Sequence, residues 1–283
     1  MGASEHLGRS RKRVLLAVRR FARQAVTRVA QSLGQFPTPL TGGDELQALL
    51  DQLHPVETGM PLVRIGPPGD GGYLVPDDLG GIVACFSPGV DLTSEFEMEC
   101  AERGMEVFLA DRSVDRPART HDRFHFVQKH VGAFCDEGTL TLDNWVAASL
   151  PNGDGDLLLQ MDVEGAEYEV ILNISDQLMD RFRIIVAEFH HLDMLRSRPV
   201  HRVQALAFAK ILKTHACVHA HPNNCCGSVK VRGVEVPKVM EFTFLRRDRG
   251  PIGPFVRQFP HPLDFDNTGK PHLVLPASMY RSR

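Results

Sequence analysis

Residues 157–169 read Leu-Leu-Leu-Gln-Met-Asp-Val-Glu-Gly-Ala-Glu-Tyr-Glu. An apolar run ends on two carboxylates, Asp162 and Glu164, turns on Gly165, and opens an acidic helix. In open α/β sheets ligands bind outside the carboxyl ends of the strands. Carboxylates at that end are therefore placed to meet a cation or a hydroxyl. A second run, Ile184–Ala187, is followed by Glu188, His190, His191 and Asp193. A third, Cys217–Ala220, leads to His219, His221, Asn223 and Asn224. In a parallel sheet the first two tips are neighbours. The third joins them if its strand lies antiparallel at the edge and its loop folds back.

Such groups suit two ways of taking a proton from a hydroxyl. His190, with Glu164 beside it, can act as a general base, because imidazole titrates near neutrality. Alternatively, Asp162, Glu188 and His221 can hold a divalent cation such as magnesium or manganese, which acidifies the bound hydroxyl. A zinc site from His219, His221, Cys225 and Cys226 matches no standard spacing. Glu167 and Glu169 read as carboxylates that stabilise a helix N-terminus. Trp145, in the expected helix Leu142–Ser149, reads as core.

These residues need a scaffold, and the chain supplies one. It has 283 residues, 43% hydrophobic and 24% charged, which is ordinary globular composition with length enough for a core. Ile82–Phe86 and Leu157–Met161 read as buried strands, and Met105–Ala110, Phe124–Val127 and Ile184–Ala187 as further strands. Ser94 and Glu97 form a capping-box pattern, Phe96, Cys100 and Ala101 mark the inner stripe of the helix it starts, and Gly104 stands where that helix ends. Asp44–Leu53, Ala166–Leu172 and Val203–Leu212 read as further helices. Cys217–Ala220 and Val239–Leu245 read as a closing antiparallel pair. Strands alternating with helices predict a doubly wound, mostly parallel sheet. The proline-rich stretch from Pro251 is expected to wrap the surface.

Arg64–Tyr73 is dense in turn formers. Pro67 and Pro68 remove backbone donors and no Gly-Lys-Ser/Thr follows, so it is not a phosphate loop. Gly89 follows the first strand, where a backbone comes close to a ligand, and Asp111 stands 22 residues later at the tip of the next. That spacing suits an acid on ribose hydroxyls. The Gly-x-Gly-x-x-Gly of dinucleotide enzymes is missing, which argues against a nicotinamide-dependent oxidoreductase. A donor with adenosine and a positive sulfonium, S-adenosylmethionine, fits the acidic groups better.

The chain resembles the FkbM-type S-adenosylmethionine-dependent methyltransferases. The likeness rests on Asp70-Gly-Gly-Tyr73, Phe86-Ser-Pro-Gly-Val90 with Glu95-Phe-Glu97, Gln160-Met-Asp-Val-Glu-Gly-Ala-Glu167, and His219-Ala-His-Pro-Asn-Asn224 with Val236-Pro and Met240-Glu-Phe-Thr243. It implies a Rossmann-like class I methyltransferase with a seven-stranded sheet and a cofactor lying across Ser87–Gly89. Asp70, Gly71, Tyr73, Ser87, Gly89, Glu95, Asp111 and Asp162 make up the cofactor set expected from it. It also implies methylation of a hydroxyl on a small metabolite, sugar or polyketide-like acceptor. One departure is clear: the position of a second loop glycine holds Asp91, and Pro88 stiffens the turn. A methyltransferase fold that binds ligand without catalysis is the rival that this departure raises.

Residues 1–43 hold eight Arg and Lys against a single acid, Glu5, while the formal net charge is −3. A basic arm thus precedes an acidic methyltransferase body at 44–283, and nucleic acid is not expected on that body. Within 10–33, Leu15, Val18, Ala22, Val26, Val29 and Leu33 recur at helical spacing among arginines. Gly34, Pro37, Pro39, Gly42 and Gly43 then mark a linker. The helix is expected to be solvated or to dock on another subunit or an anionic membrane surface. No apolar stretch approaches the ~20 residues of a membrane span. Six cysteines without a Cys-x-x-Cys pair are expected to be mostly buried, reduced thiols, in a cytoplasmic or membrane-peripheral setting.

Overall fold

A computed structural model describes residues 18, 20–22, 24–90, 93–151 and 153–280. The chain divides into two units, Met1–Leu40 and Thr41–Arg283. In the first, residues 24–32 are helical, as are the described residues from 18 to 22. Val18, Phe21, Val26, Val29 and Leu33 are all exposed. Leu15 and most of the basic residues of the arm lie outside the described residues, as does Asp91.

The second unit begins with helix α1 (Gly43–Leu50) and the hairpin of β1 (Leu62–Ile65) and β2 (Tyr73–Pro76). Strand β3 (Ile82–Pro88), helix α2 (Glu95–Glu102) and strands β4 (Glu106–Ala110) and β5 (Phe124–Val127) follow. A short pair, β6 (His130–Val131) and β7 (Thr139–Leu140), precedes α3 (Leu142–Ser149) and β8 (Asp156–Met161). Then come α4 (Glu167–Asn173), α5 (Asp176–Met179), β9 (Phe182–Phe189), α6 (Arg198–Thr214) and β10 (His215–Pro222). A hairpin of β11 (Ser228–Val231) and β12 (Val234–Pro237) leads into β13 (Met240–Arg246).

Seven strands form one sheet in the order β10-β13-β9-β8-β3-β4-β5. Strands β9, β8, β3, β4 and β5 are parallel, and β13 is antiparallel to both β9 and β10. It follows that β10 runs the same way as the five parallel strands. This corrects the expectation for the third tip: β10 brings its carboxyl end to the common rim directly, with no loop folding back.

The central strands form because their side chains are apolar on both faces, with β9 buried along its whole length, while the edge strand β5 exposes His125. Alternation divides those side chains between two cores. Phe86, Phe108, Leu159 and Phe189 pack under α1, α3, α4, α5 and α6. Cys85, Val107, Leu158 and Val186 pack under α2 and the β1–β2 hairpin. Helices therefore cover both faces, but unequally.

Helix α2 ends as predicted. Gly104 takes φ +92, its N–H bonds the Ala101 carbonyl, and the Met105 N–H bonds Cys100. Its start differs from the prediction. Ser94 makes no side-chain cap and its hydroxyl is buried without a partner, while Glu97 turns inward.

At the amino ends of the strands, Arg183 bonds Asp156 at 2.7 Å and reaches Asp78, Arg246 bonds the other Asp156 oxygen at 2.7 Å, and Arg249 holds Asp78. Burial alone would raise Asp156, but the two guanidiniums outweigh it and hold its carboxyl below the usual range. The edge of β10 is covered. The Val56 N–H bonds Cys217 O, Val56 bridges Phe255, and Glu57 and Pro55 exchange backbone bonds with 253–256. Beyond them Asp264 accepts from His219 at 2.9 Å, and Asn224 bonds Thr268 and Lys270.

Candidate active site

The tips of four parallel strands are laced together just beyond their ends. The Asp162 N–H bonds Pro88 O, the Gly89 N–H bonds Ala110 O, and the Asp111 N–H bonds Val127 O. Asp162, Gly89 and Asp111 thus lie along one rim, and all three line one cleft of about 460 Å³. Gly89 has φ +89, and a Cβ there would overlap the Asp162 carbonyl oxygen. The close neighbour that demands glycine is a backbone of the protein itself.

Asp70, Gly71, Tyr73, Glu164, Glu188 and His190 line the same cleft. No Lys or Arg lines it among the described residues. Gly71, at φ +75, gains its place by contact, since a Cβ would stand 2.6 Å from Thr93 Oγ1. Both Asp111 oxygens are engaged, one by the Val90 N–H at 3.0 Å and the other by Ser113 through its N–H and hydroxyl. Asp111 therefore braces the loop, and carboxylate lone pairs remain to accept more.

Two expected residues stand elsewhere. Glu95 does not line the cleft. Its carboxylate accepts from the Ser94 N–H and pairs with Arg119. Ser87 is fully buried behind the wall, where its hydroxyl touches Glu97 and Gln160 at 2.6 Å each. Gln160 continues the chain to Tyr73 Oη at 3.4 Å. One hydroxyl carries one proton, so both Ser87 contacts are satisfied when Glu97 is protonated or the Gln160 amide faces the other way. Burial raises Glu97, which favours the protonated form. Glu97 and Gln160 line the cleft, and the sequence reading placed neither among the site residues. A Ser-x-x-Glu spacing looks the same whether the Glu caps its helix or turns toward the sheet.

His190 is the best-held side chain of the rim. Its Nδ1 lies 3.0 Å from Glu167 Oε1, and Glu167 is fully buried. The same oxygen accepts the Gly165 N–H, and Tyr168 Oη donates to the His190 carbonyl. Glu167 is therefore more than a helix-end charge: the start of α4 fixes the ring and its backbone. The ring's Nε2 stands 3.4 Å from Glu164, 3.9 Å from Glu188 and 4.0 Å from Asp162. Two non-glycine residues in left-handed backbone, Glu164 (φ 53) and His191 (φ 57), shape the two tip loops. The loops touch where Gly165 faces the His191 ring.

The electrostatics follow from this crowding. Burial raises Asp162; His190 opposes and Glu164, Glu167 and Asp70 add, so it reaches about 7. Glu188 is pushed up to about 10 by burial, Asp162 and Glu241, against the Asn223 amide that donates to it at 2.8 Å. Burial pulls His190 down, but its bond to Glu167 and the carboxylates of Glu167, Asp162 and Glu164 outweigh this and hold it above its ordinary value.

The expected cation set is not brought together. His221 shares a row with Glu241 and Glu188 by strand register, but it does not line the cleft. Its Nδ1 instead lies 3.6 Å from Asp264. Among the described residues, the donor atoms that do gather are those of Asp162, Glu164 and His190, all within 4.8 Å of one another. Of the zinc set, Cys225 and Cys226 line the cleft while His219 and His221 both face Asp264, so these four do not gather as ligands. Trp145 is core, edge-on to Phe86.

No curated protein matches the chain. A family model described as the methyltransferase FkbM domain matches residues 95–209, from the start of α2 into α6. That span holds Asp111, Asp162, Glu164, Glu167, Glu188 and His190. Over residues 95–209 the chain is thus similar to the methyltransferase FkbM domain, and the match supports a methyltransferase.

Proposed function

We propose that the chain is an S-adenosylmethionine-dependent O-methyltransferase of Rossmann-like class I architecture, acting on a neutral or cationic hydroxyl compound such as a small metabolite or glycan. The observation that carries this reading is the single anionic cleft at the carboxyl rim, with an imidazole fixed by Glu167 on its wall. A cleft of about 460 Å³ is of ligand size. Its carboxylates, raised by burial and by one another, are relieved by a cation such as a sulfonium. Among the described residues no Lys or Arg lines the cleft to meet a phosphate or carboxylate, which narrows the acceptor class. Asp70, Gly71, Tyr73, Gly89, Asp111 and Asp162 are the proposed cofactor contacts, with Glu97 and Gln160 in place of Glu95 and Ser87.

Bound S-adenosylmethionine supplies an electrophilic methyl group on a positive sulfur. The residues of the chain do the rest. His190 Nε2 takes the acceptor's hydroxyl proton, Glu167 keeps the other nitrogen protonated and the ring in place, and Asp162 and Glu164 stabilise the imidazolium that forms. The base must be neutral first, so turnover rises with pH through the elevated His190 value. A divalent cation is a second reading, favoured by the buried Asp162 oxygen that has no hydrogen-bond partner. Asp162, Glu164 and His190 would hold it, and it would acidify the acceptor hydroxyl.

Calorimetric titration with S-adenosylmethionine and with a nicotinamide dinucleotide is expected to give heat only with the former. A radiolabelled-methyl assay over neutral hydroxyl compounds, with and without chelator, then separates three cases. Label transfer supports the enzyme, its loss on chelation supports the cation, and cofactor binding with no transfer to any acceptor supports a binding protein.

For the first unit we propose a helix that lies on an anionic membrane surface. Val18, Ala22, Val26, Val29 and Leu33 share one helical side, Phe21 and Arg28 flank it, and Arg20 stands opposite. No described helix is long and apolar enough to cross a membrane. Co-sedimentation with vesicles rich in anionic phospholipid, and not with neutral ones, is the expected result; no binding to either removes the proposal.

A further inference from the structure

Cys225 and Cys226 are adjacent in the chain, and both side chains line the cleft. Their sulfurs lie 2.7 Å apart, and both are free thiols. They sit on the turn after β10, whose carboxyl end joins the rim of the parallel strands. Cys226 is exposed and Cys225 is half-buried. The turn is wired into the cleft wall. The Cys225 N–H donates to Asn223 Oδ1 at 2.8 Å, and Asn223 Nδ2 donates to Glu188 at 2.8 Å. The Cys225 carbonyl accepts from Lys270 Nζ at 2.6 Å. Gly227 follows at φ +70 with open space around its α-carbon, so the chain beyond the pair has room to turn.

We propose that Cys225 and Cys226 form a reversible dithiol–disulfide site at the mouth of the cleft, oxidised by low-molecular-weight disulfides. The exposed Cys226 sulfur, as thiolate, attacks one sulfur of the disulfide RSSR. This forms a mixed disulfide and expels RS⁻, which takes up the proton that Cys226 gave up. The Cys225 thiol then loses its proton and attacks the Cys226 sulfur. The bond between Cys226 and SR breaks, and the second RS⁻ takes that proton. Two thiols and one RSSR become one Cys225–Cys226 disulfide and two RSH, the pair having given two electrons.

The chemistry favours easy reversal. Neighbouring α-carbons are about 3.8 Å apart across a trans peptide, below the 4.4–6.8 Å usual for a disulfide. The bridge therefore distorts the peptide that joins the two residues. Strained, accessible disulfides are the readily reduced ones. The distorted peptide carries the Cys225 carbonyl that Lys270 holds, and it adjoins the N–H that Asn223 holds. Oxidation thus pulls on the contact that steadies Glu188.

The test uses the full chain in a Cys135→Ser background, which removes the other exposed thiol. Treatment with glutathione disulfide is expected to remove two hydrogens from the single peptide holding both cysteines, and dithiothreitol to restore them. Phenylarsine oxide, which bridges paired thiols with loss of water, is expected to bind the parent one to one and to bind Cys226→Ser much more weakly. Cys226 is exposed, so that variant keeps its fold, and Cys225→Ser is a second check. Stable glutathione adducts without the internal bridge, or equal arsenical binding by parent and Cys226→Ser, overturn the proposal. These readouts do not depend on methyl transfer. Where the cofactor reading also holds, oxidation weakens S-adenosylmethionine binding by about fivefold, the scale of one lost neutral hydrogen bond.

Discussion

At the scale of single residues, the pairing of Glu167 with His190 makes the sharpest claims. Replacing His190 by Gln is expected to lower methyl transfer by about 10²–10⁴-fold, the usual worth of a positioned base. Glu167→Gln keeps a hydrogen bond but removes the charge that raises the imidazole. Its loss is smaller, and the pH midpoint of turnover moves down. An unchanged midpoint in a pH–rate profile would count against the pairing. Glu188 makes a stability claim. Its folded value of about 10 lies above that of an ordinary carboxyl, so the folded state keeps a proton that the unfolded chain has lost. Stability from this group is present at acid pH and is lost as pH rises from the ordinary carboxylate range toward that value. Glu188→Gln escapes the loss while still accepting from Asn223. We expect its stability to exceed the parent's by a margin that grows from pH 5 to pH 9, reaching roughly 1–3 kcal/mol at the alkaline end. A margin constant with pH in thermal melts would show that Glu188 is already ionised.

At the scale of elements, the register between β3 and β8 carries the cleft. Gly89 and Asp162 meet backbone to backbone where these strands end, and Asp162 closes the contact through Pro88. Gly89→Ala must part the two tips and also adopt a strained φ. We expect a destabilisation above about 3 kcal/mol in denaturant unfolding, together with loss of cofactor binding. An alanine variant with parental stability would mean that the tips part at little cost. The strands themselves were legible in sequence, because they are rich in apolar residues and bounded by turn residues. Phe124–Val127 and Leu142–Ser149 match to the residue. The β1–β2 hairpin was not, since its strands are four residues each around a run of glycines and prolines. The direction of β10 was also hidden, because it depends on the insertion of β13 between it and β9 and not on local pattern. Among site residues, those at strand tips were found by position alone: Asp162, Glu164, Glu188 and His190. Glu97, Gln160 and Glu167 were missed as site residues because their roles arise from burial beside a partner distant in the chain. His221 and Glu95 were misplaced because one strand tip or one helix start offers several acids and imidazoles, and only packing chooses among them.

At the scale of the whole molecule, the sheet divides its duties between its two ends. The carboxyl end gathers carboxylates and an imidazole around a cleft. The amino end is tied by Arg183, Asp156, Arg246, Asp78 and Arg249. One cost of this plan falls on β10, eight residues long and outermost in the sheet. Its open side is shielded by residues 55–57, the stretch 253–256, and the segment carrying Asp264 and Thr268. Bare strands of that length are templates for their own kind. Deleting residues 251–280 removes much of the shield and leaves the side of β10 thinly guarded by 55–57. Light scattering from the shortened protein should then climb with concentration while the parent stays flat, and a shortened protein that remained monomeric would show that 55–57 suffice. The irregular tail, which carries no recognisable motif, is thus expected to guard against polymerisation, besides lending Thr268 to the cleft wall.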